Sequence, residues 1–547
     1  MTSDHTPFTL LRAALQARGF DYRRRRADGS WEFHGALHAA EGDHPAVVSV
    51  DPKGLKLPLV SVCLPPNAPK VLAHIGAGGQ VCYAAKGSVV PDVFDIAGQT
   101  VAHLQRAAEV LDLSLRGKMK KDLEDEFFAF WHGTPCFVDV ERDGPSELTV
   151  IFASYAADRT SMLFVGNQPA GTRLKLQAMG LEEGPDTGAV AVKVQSSANP
   201  RPLIDDWPPK TMAALLAWQG MLDPAARRNM ERKLLVACGK GRQAALCVVA
   251  APVTQYAIFV SFPDPGPKEA RPTESLRKRL YASEVQPMSL FRFDDAYVSQ
   301  RNTPQQPTLA HKRIVLVGCG TIGGFLAELL VKNGAGLGRG ELLLVDPDIL
   351  APQNVGRHRL GMNYVLKNKA TALAHELRRG APTANLRDLP VAVEQGELGR
   401  ADLFINATGE EALAHLLTRE WTKQQLFIPT LTVWVEGAGV AARALFRDAP
   451  EQACTRCMSD LQRKPLFPAV TEPIPVELAG HGCESLYVPF PATASVHAAC
   501  LAAEMVVDWN RGVPSPRLRT RVIRSSFSPA SGDVDVSRLP QCPACSS

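Results

Sequence analysis

The chain has 547 residues, 45% hydrophobic and 21% charged, enough to bury several cores in about three or four domains. Its formal net charge of +4 is small for that length and its longest basic run is Arg23 to Arg26, so nucleic-acid binding is not expected. No stretch of about eighteen apolar residues runs uncharged and Met1 to Ala14 lacks a signal-peptide layout, so a cytoplasmic protein without membrane association is expected.

In chain order, residues 1–118 open with a helical stretch from Phe8 to Arg18 and continue with extended runs at Trp31 to His34, Ala46 to Val50 and Leu57 to Leu64, which Pro65-Pro66 stops. Val93 to Leu113 carries apolar residues at three-and-four spacing and predicts a long amphipathic helix. This is an α+β unit. Residues 119–288 form a mixed α/β middle region, with a helix candidate at Leu123 to Trp131 and apolar runs at Leu148 to Ser154, Leu234 to Cys238 and Ala244 to Ala251. Its fold is unassigned, it carries no chemical motif, and the proline-rich patches at Asn199 to Lys210 and Phe262 to Pro272 read as surface connections. Residues 289–547 change to strand, glycine turn, helix, strand: His311 to Val317, Gly318 to Gly324, Phe325 to Asn333 and Glu341 to Asp346. A Rossmann-like α/β domain follows, a parallel-rich sheet with helices on both faces.

Gly318, Gly320 and Gly323 give G-x-G-x-x-G between strand and helix, where glycines allow a tight turn and the helix N-terminus supplies donors for phosphate. NAD- and FAD-binding oxidoreductases share that signal, and a glycine turn can also be plain strand-to-helix packing. The second strand ends in Asp346, placed to accept hydrogen bonds from ribose hydroxyls, and Asn354, Arg357 and Lys369 follow. Cations converging on a phosphate-binding turn suit ATP, whose triphosphate needs neutralising; surface charge is the alternative for Arg357 and Lys369 taken singly.

With these residues the chain resembles, from about Asp294 to its end, the ubiquitin-activating (E1-like, ThiF-type) enzymes and the bacterial enzymes that activate sulfur-carrier proteins. The resemblance implies Asp346 on the ribose, Asn354, Arg357 and Lys369 around the phosphates, and Arg301 reaching across a homodimer. It also implies Mg²⁺ with ATP, yet the family's magnesium-associated aspartate falls at Gly409 in Asp402 to Glu410, so Glu410 is the expected substitute.

Twelve cysteines in so long a chain read as metal ligands and reactive thiols rather than a disulfide framework. Cys454-x-x-Cys457 and Cys542-x-x-Cys545 have the spacing of a tetrahedral Zn²⁺ site, which four sulfurs close to any substrate; a redox C-x-x-C is the other reading. Between the pairs, Cys483 sits in His481-Gly482-Cys483-Glu484, a non-periodic segment before the helix Ser495 to Asp508. The resemblance makes it the thiol that takes the activated carboxylate from AMP. Cys500 and Cys319 read as core.

Near the start, a proline turn at Leu64-Pro65-Pro66, His74, and Gly79-Gln80-Val81-Cys82 ahead of the amphipathic helix resemble a ubiquitin-conjugating (E2-like) domain, whose cysteine receives the carrier. The usual His-Pro-Asn is His74-Ile75-Gly76 here, so the asparagine that assists lysine attack is missing. An E2-like domain before an E1-like one resembles the fusion protein of bacterial CBASS antiphage operons. That implies adenylation of the C-terminus of a CD-NTase, thioesters on Cys483 and then Cys82, and conjugation to target lysines. A ubiquitin-like β-grasp carrier from a bacterial conjugation operon is the alternative. From other classes, an NAD-dependent oxidoreductase is disfavoured by Asn354, Arg357 and Lys369 and by the paired cysteines, and a nucleotide-binding scaffold would need neither thiol to be reactive.

Overall fold

The computed structural model describes residues 6–39, 42–64, 68–69, 71–76, 78–85, 87–141, 144–145, 147–157, 160–185, 189–203, 207–263, 273–393, 400–460, 462–480 and 486–546. Cys483 and Pro65-Pro66 lie outside them. The chain forms two compact units, one of residues 1–168 and 183–291, the other of 169–182 and 292–547. No helix among the described residues is long and apolar enough to cross a membrane.

The first unit begins with a helix, Pro7–Gln16, that Thr6 caps through its side chain. An antiparallel meander follows, Asp21–Arg25, Trp31–Ala39, Gly42–Val50 and Leu59–Val62, paired in chain order. Alternation puts Phe33, Leu37, Val48 and Val60 on the inner face, against Leu11 and Leu15 of the first helix and Leu104, Ala107 and Leu111 of the helix Ile96–Leu115. This helix is the amphipathic one read from the spacing; it starts after Val93 because the carboxylate of Asp95 accepts the N–H of Gly98 and sets the cap.

The middle region builds a separate core around a sheet that closes on itself. The ring runs Met162–Gly166, Thr134–Asp139, Glu284–Arg292, Gln255–Ser261, Ala244–Ala250, Val190–Gln195 and Glu147–Tyr155, whose last member pairs back to the first. Cys136, Val138, Val165, Leu246, Val248 and Met288 form one cluster of its side chains. The helices Met212–Leu222, Pro224–Gly239 and Glu274–Ala282 pack on the other face, where Phe127, Trp131 and Trp218 are stacked and buried and Tyr256 meets them edge-on. Leu234 to Cys238 thus belongs to a helix, started by the Asp223 cap and Pro224 in its first turn.

The second unit is a seven-stranded sheet in the order Leu386–Leu389, Glu341–Val345, Arg313–Val317, Leu403–Asn406, Thr430–Glu436, Ala441–Arg447, Leu518–Val522. The first five are parallel and the last two antiparallel. Its central strands are apolar on both faces. Ile314, Leu316, Leu342 and Leu344 pack on the helices Thr321–Lys332, Lys369–Gly380 and Ala492–Asn510, while Val315, Val317, Leu343 and Phe404 meet Leu413, Leu417 and Trp421 of Glu411–Lys423. Helices on both faces of a mainly parallel sheet are the doubly wound arrangement expected from the βαβ pattern.

Candidate active sites

In the second unit the order of the strands reverses beside Arg313–Val317, and open α/β sheets bind ligands at such a switch point, beyond the strands' carboxyl ends. The glycine turn sits there. Gly318 has φ +87°, and a Cβ on it would stand 2.7 Å from the Thr408 nitrogen; a Cβ on Gly323 would stand 1.8 Å from the Gly318 oxygen. Both are glycine by steric necessity. Gly320 differs: it is the N-cap of Thr321–Lys332, makes no side-chain cap, and has nothing within 4 Å of where a Cβ would be. Uncapped helix N–H groups facing open space are a place for phosphate oxygens.

Asp346 is buried at the end of its strand and accepts the N–H of Cys319 (2.7 Å) and of Asp348 (2.8 Å), so one carboxylate braces the glycine turn and the segment after the strand. Burial raises its pKa from the ordinary aspartate value, against the pull of those hydrogen bonds and of Lys369. Lys369 opens its helix with its ammonium on Asp348 (2.7 Å) and its side chain 12% exposed. Asn368 caps that helix at Thr371 and donates to the carbonyls of Asp346 and Asp348.

Asn354 closes a 3-10 turn, Pro352–Asn354, and its side-chain oxygen accepts the Ala351 N–H. Arg357 lies over the rings of Phe490 (4.5 Å) and Tyr487 (6.0 Å), and its buried Nε has no hydrogen-bond partner among the described residues. Buried donors are rarely left unpaired, so an anionic oxygen is the chemistry this one lacks. The next residue, His358, was not singled out from the sequence. Its Nδ1 accepts the Leu360 N–H (3.0 Å), so its Nε2 carries the proton and donates to the Cys319 carbonyl (2.8 Å), tying the Arg357 segment to the glycine turn. Burial lowers its pKa and favours that neutral form.

The structure therefore brings together Gly318, Gly320, Gly323, Asp346 and Lys369, and links the Asn354 and Arg357 segment to them through His358. Glu410 is exposed at the N-cap of Glu411–Lys423, after Gly409 at φ +76°, and its carboxylate touches none of these residues. Arg301 is exposed at the end of Asp295–Gln300, with no side-chain partner among the described residues. Ala479 and Tyr487 exchange both backbone hydrogen bonds, and Cys483, between them in sequence, lies outside the described residues. Cys319 is buried as expected, but Cys500 is exposed: Ala498, Ala499, Leu501 and Ala502 face the sheet, and position 500 turns outward.

All four paired cysteines are buried and converge. The Sγ separations are 3.8 Å for Cys454 to Cys457, 3.7 Å for Cys454 to Cys542 and 3.5 Å for Cys457 to Cys545. A Zn–S bond of about 2.3 Å makes a tetrahedral edge of about 3.8 Å, so the donor set fits zinc in both chemistry and size. The cluster packs with Leu445, Leu518 and Val536 beside the antiparallel end of the sheet.

In the first unit, Gly79 has φ +74° and its Cβ would fall 2.0 Å from the Val62 oxygen, so the turn before Cys82 closes tightly on the sheet. Cys82 is exposed, and its N–H donates to the His74 carbonyl (2.7 Å). His74 holds φ +63° and meets Glu126 at Nδ1 (2.5 Å) and Asp122 at Nε2 (3.0 Å). Burial first, then the charge of Glu126, raise the Cys82 pKa. Asp122 and Glu126 are additions that no sequence signal gave, since they come from a turn about forty residues after the cysteine.

A glycine turn braced by a buried aspartate, beside an arginine with an orphan donor, defines a nucleotide-binding enzyme domain, and an exposed thiol stands in a second, separately folded region. Family models agree on both parts: the ThiF family matches residues 295–543, and the prokaryotic E2 family B matches 41–134, a span that takes in Cys82, Asp122 and Glu126. The ATP-dependent ubiquitin transferase-like protein Cap2 of Pseudomonas aeruginosa is 43% identical over 98% of this chain and 98% of its own length. That of Escherichia coli is 25% identical over 91% of this chain and 90% of its own. The chain belongs to this family of ATP-dependent ubiquitin transferase-like proteins. A crystal structure of E. coli MccB with MccA-N7isoASN has a TM-score of 0.34 and 15% identity, covering 46% of this chain and 69% of that one.

Proposed function

We propose that the chain adenylates the C-terminal carboxylate of a protein substrate and passes it through thioesters to target lysines, in bacterial antiphage defence of the CBASS type. A carboxylate oxygen of the substrate attacks the α-phosphorus of ATP, and pyrophosphate leaves. A thiol, for which Cys483 is the candidate, attacks the acyl carbon and releases AMP; Cys82 then accepts the acyl group by sulfur exchange, and an amine takes it. The observation that carries this reading is the pairing, in one chain, of an open helix N-terminus at Gly320, braced by Asp346, with an exposed Cys82 in an E2-like fold.

The residues divide the work. Asp346 would take the ribose hydroxyls, the helix at Gly320 the phosphates, and Arg357 would satisfy its orphan Nε on a phosphate oxygen, with Asn354 and Lys369 beside it. Lys369 would have to exchange Asp348 for phosphate, which an incoming polyanion favours. Mg²⁺ enters with ATP in this reading, with Glu410 its candidate carboxylate. Cys454, Cys457, Cys542 and Cys545 would hold Zn²⁺, whose contribution is to fasten the C-terminal segment. A homodimer through the nucleotide unit would give the unpartnered Arg301 a place on the partner's nucleotide.

The substrate is a CD-NTase or a ubiquitin-like β-grasp protein, and the test uses the product of the neighbouring gene. With ATP, the full chain should release AMP and form a thiol-sensitive adduct. That adduct is expected to vanish in Cys483→Ala, to accumulate on Cys483 in Cys82→Ala, and not to form in Asp346→Ala. Normal AMP release by Asp346→Ala would overturn the nucleotide assignment.

A further inference from the structure

Sulfur exchange at Cys82 asks only for an accessible, ionisable thiol, yet the structure surrounds that thiol with acid. The ligand atoms of Cys82, His74 and Glu126 all lie within 4.8 Å of one another. Glu126 receives the His74 backbone N–H (2.7 Å) as well as its ring, and Asp122 occupies the far ring nitrogen. His74 and Glu126 are about one-fifth exposed. The left-handed backbone of His74 is held on one side by Glu126 and on the other by the Cys82 N–H. Strain maintained between a thiol and a carboxylate points to a working geometry.

For the charging step this arrangement is a handicap, because a negative neighbour disfavours the thiolate that must attack. For the discharging step it is an asset. A lysine side chain arrives as an ammonium with an ordinary pKa of about 10.4, so at pH 7 roughly one part in 2,500 is free amine. Something beside the thioester must accept a proton, which a carboxylate can do.

We propose that Glu126 takes the proton of the attacking lysine amine at the Cys82 thioester, and that His74, backed by Asp122, is the residue that positions it. The assignment rests on reading Cys82 as the carrier thiol. In the step, the amine nitrogen bonds to the thioester carbonyl carbon, the carbon–sulfur bond breaks, and the electron pair leaves on the Cys82 sulfur. Of the two protons that the ammonium nitrogen sheds, one passes to the Glu126 carboxylate and on to water, and the other goes to the departing Cys82 sulfur, which leaves as the thiol. Cys82 and His74 face Glu126 directly, with Asp122 across the imidazole ring.

The test bypasses the unidentified substrate. The full chain is loaded without ATP by exchange with a glycine-ended peptide mercaptoethanesulfonate thioester, with Cys82→Ala as blank, and is then discharged with free lysine or with hydroxylamine, which is neutral at pH 7. Glu126→Gln should load as fast as the parent or faster and discharge to lysine at least tenfold more slowly at pH 7. The gap should narrow to under threefold by pH 9.5, while hydroxylamine discharge stays within twofold of the parent. His74→Gln should shift lysine discharge in the same direction with the same split between nucleophiles. Equal losses with lysine and hydroxylamine, or undiminished lysine discharge, overturn the assignment to Glu126. A parent chain whose Cys82 takes no acyl group at all overturns the carrier reading itself.

Discussion

His358 shows how one buried side chain makes the nucleotide turn sensitive to pH. Folded, it is kept neutral by burial, with a pKa below the ordinary 6.5; unfolded, it titrates at that ordinary value. As pH falls through about 6.5 the unfolded chain takes up the proton first, so the stabilisation from a neutral His358 is complete above that pH and shrinks below it. His358→Gln, whose amide can still donate to the Cys319 carbonyl, should lose less melting temperature than the parent between pH 7.5 and 5.5. A melting curve that falls identically in both proteins would show that this histidine does not set the dependence. The residue was findable in principle, since it directly follows Arg357, but nothing in a sequence says that an imidazole is buried. Asp122 and Glu126 were further out of reach: they lie 40 and 44 positions beyond Cys82, and only folding brings a carboxylate from that turn to the sulfur.

At the scale of elements, the glycine turn and its helix carry the prediction. A methyl on Gly323 would lie 1.8 Å from the Gly318 oxygen, so Gly323→Ala should weaken ATP binding about ten- to a hundredfold, as a strain of about 1–3 kcal/mol implies. A Cβ on Gly320 would have nothing within 4 Å among the described residues beyond its chain neighbours, so Gly320→Ala should change melting little and mainly weaken ATP. Calorimetry on the two variants separates turn strain from ligand contact. The sequence pattern expected this helix from Phe325, whereas it runs from Thr321, because Gly323 and Gly324 look like breakers and here lie inside the first turns, where side chains would collide. The strand, turn and second strand stood out because short apolar runs ending in Gly and Asp have few other uses. The middle region did not, because a sheet that closes through pairing of residues 147–155 with 162–166 leaves no local mark of its closure.

For the molecule as a whole, the four-cysteine cluster is the feature to test. Cys457 and Cys545 are 88 positions apart and 3.5 Å from sulfur to sulfur. Elemental analysis should find about one zinc per chain, and Cys545→Ser should lower both the metal content and the melting temperature of the nucleotide unit, since metal affinity is folding energy there. Less than about half an equivalent in the parent chain would argue against zinc. The spacing made this site readable at once, because two C-x-x-C pairs need only come together to define a tetrahedron.

Because seven strands of the eight-stranded sheet form a complete ring, the chain cannot be divided wherever its sequence looks thin. A fragment severed before residue 119 keeps the Cys82 sulfur but forfeits both acids that flank His74. One ending between 134 and 292 strips a stave from the cylinder and bares two unsatisfied edges to whatever strand comes near. Even a piece ending just after Glu126, which keeps both acids, loses Phe127 and Trp131 or bares them, and both are buried in the core of the middle region. The shortest N-terminal piece with its thiol surroundings and their packing whole is thus more than half of the protein, and trimming to the E2-like match would yield a different reagent from the one the full chain contains.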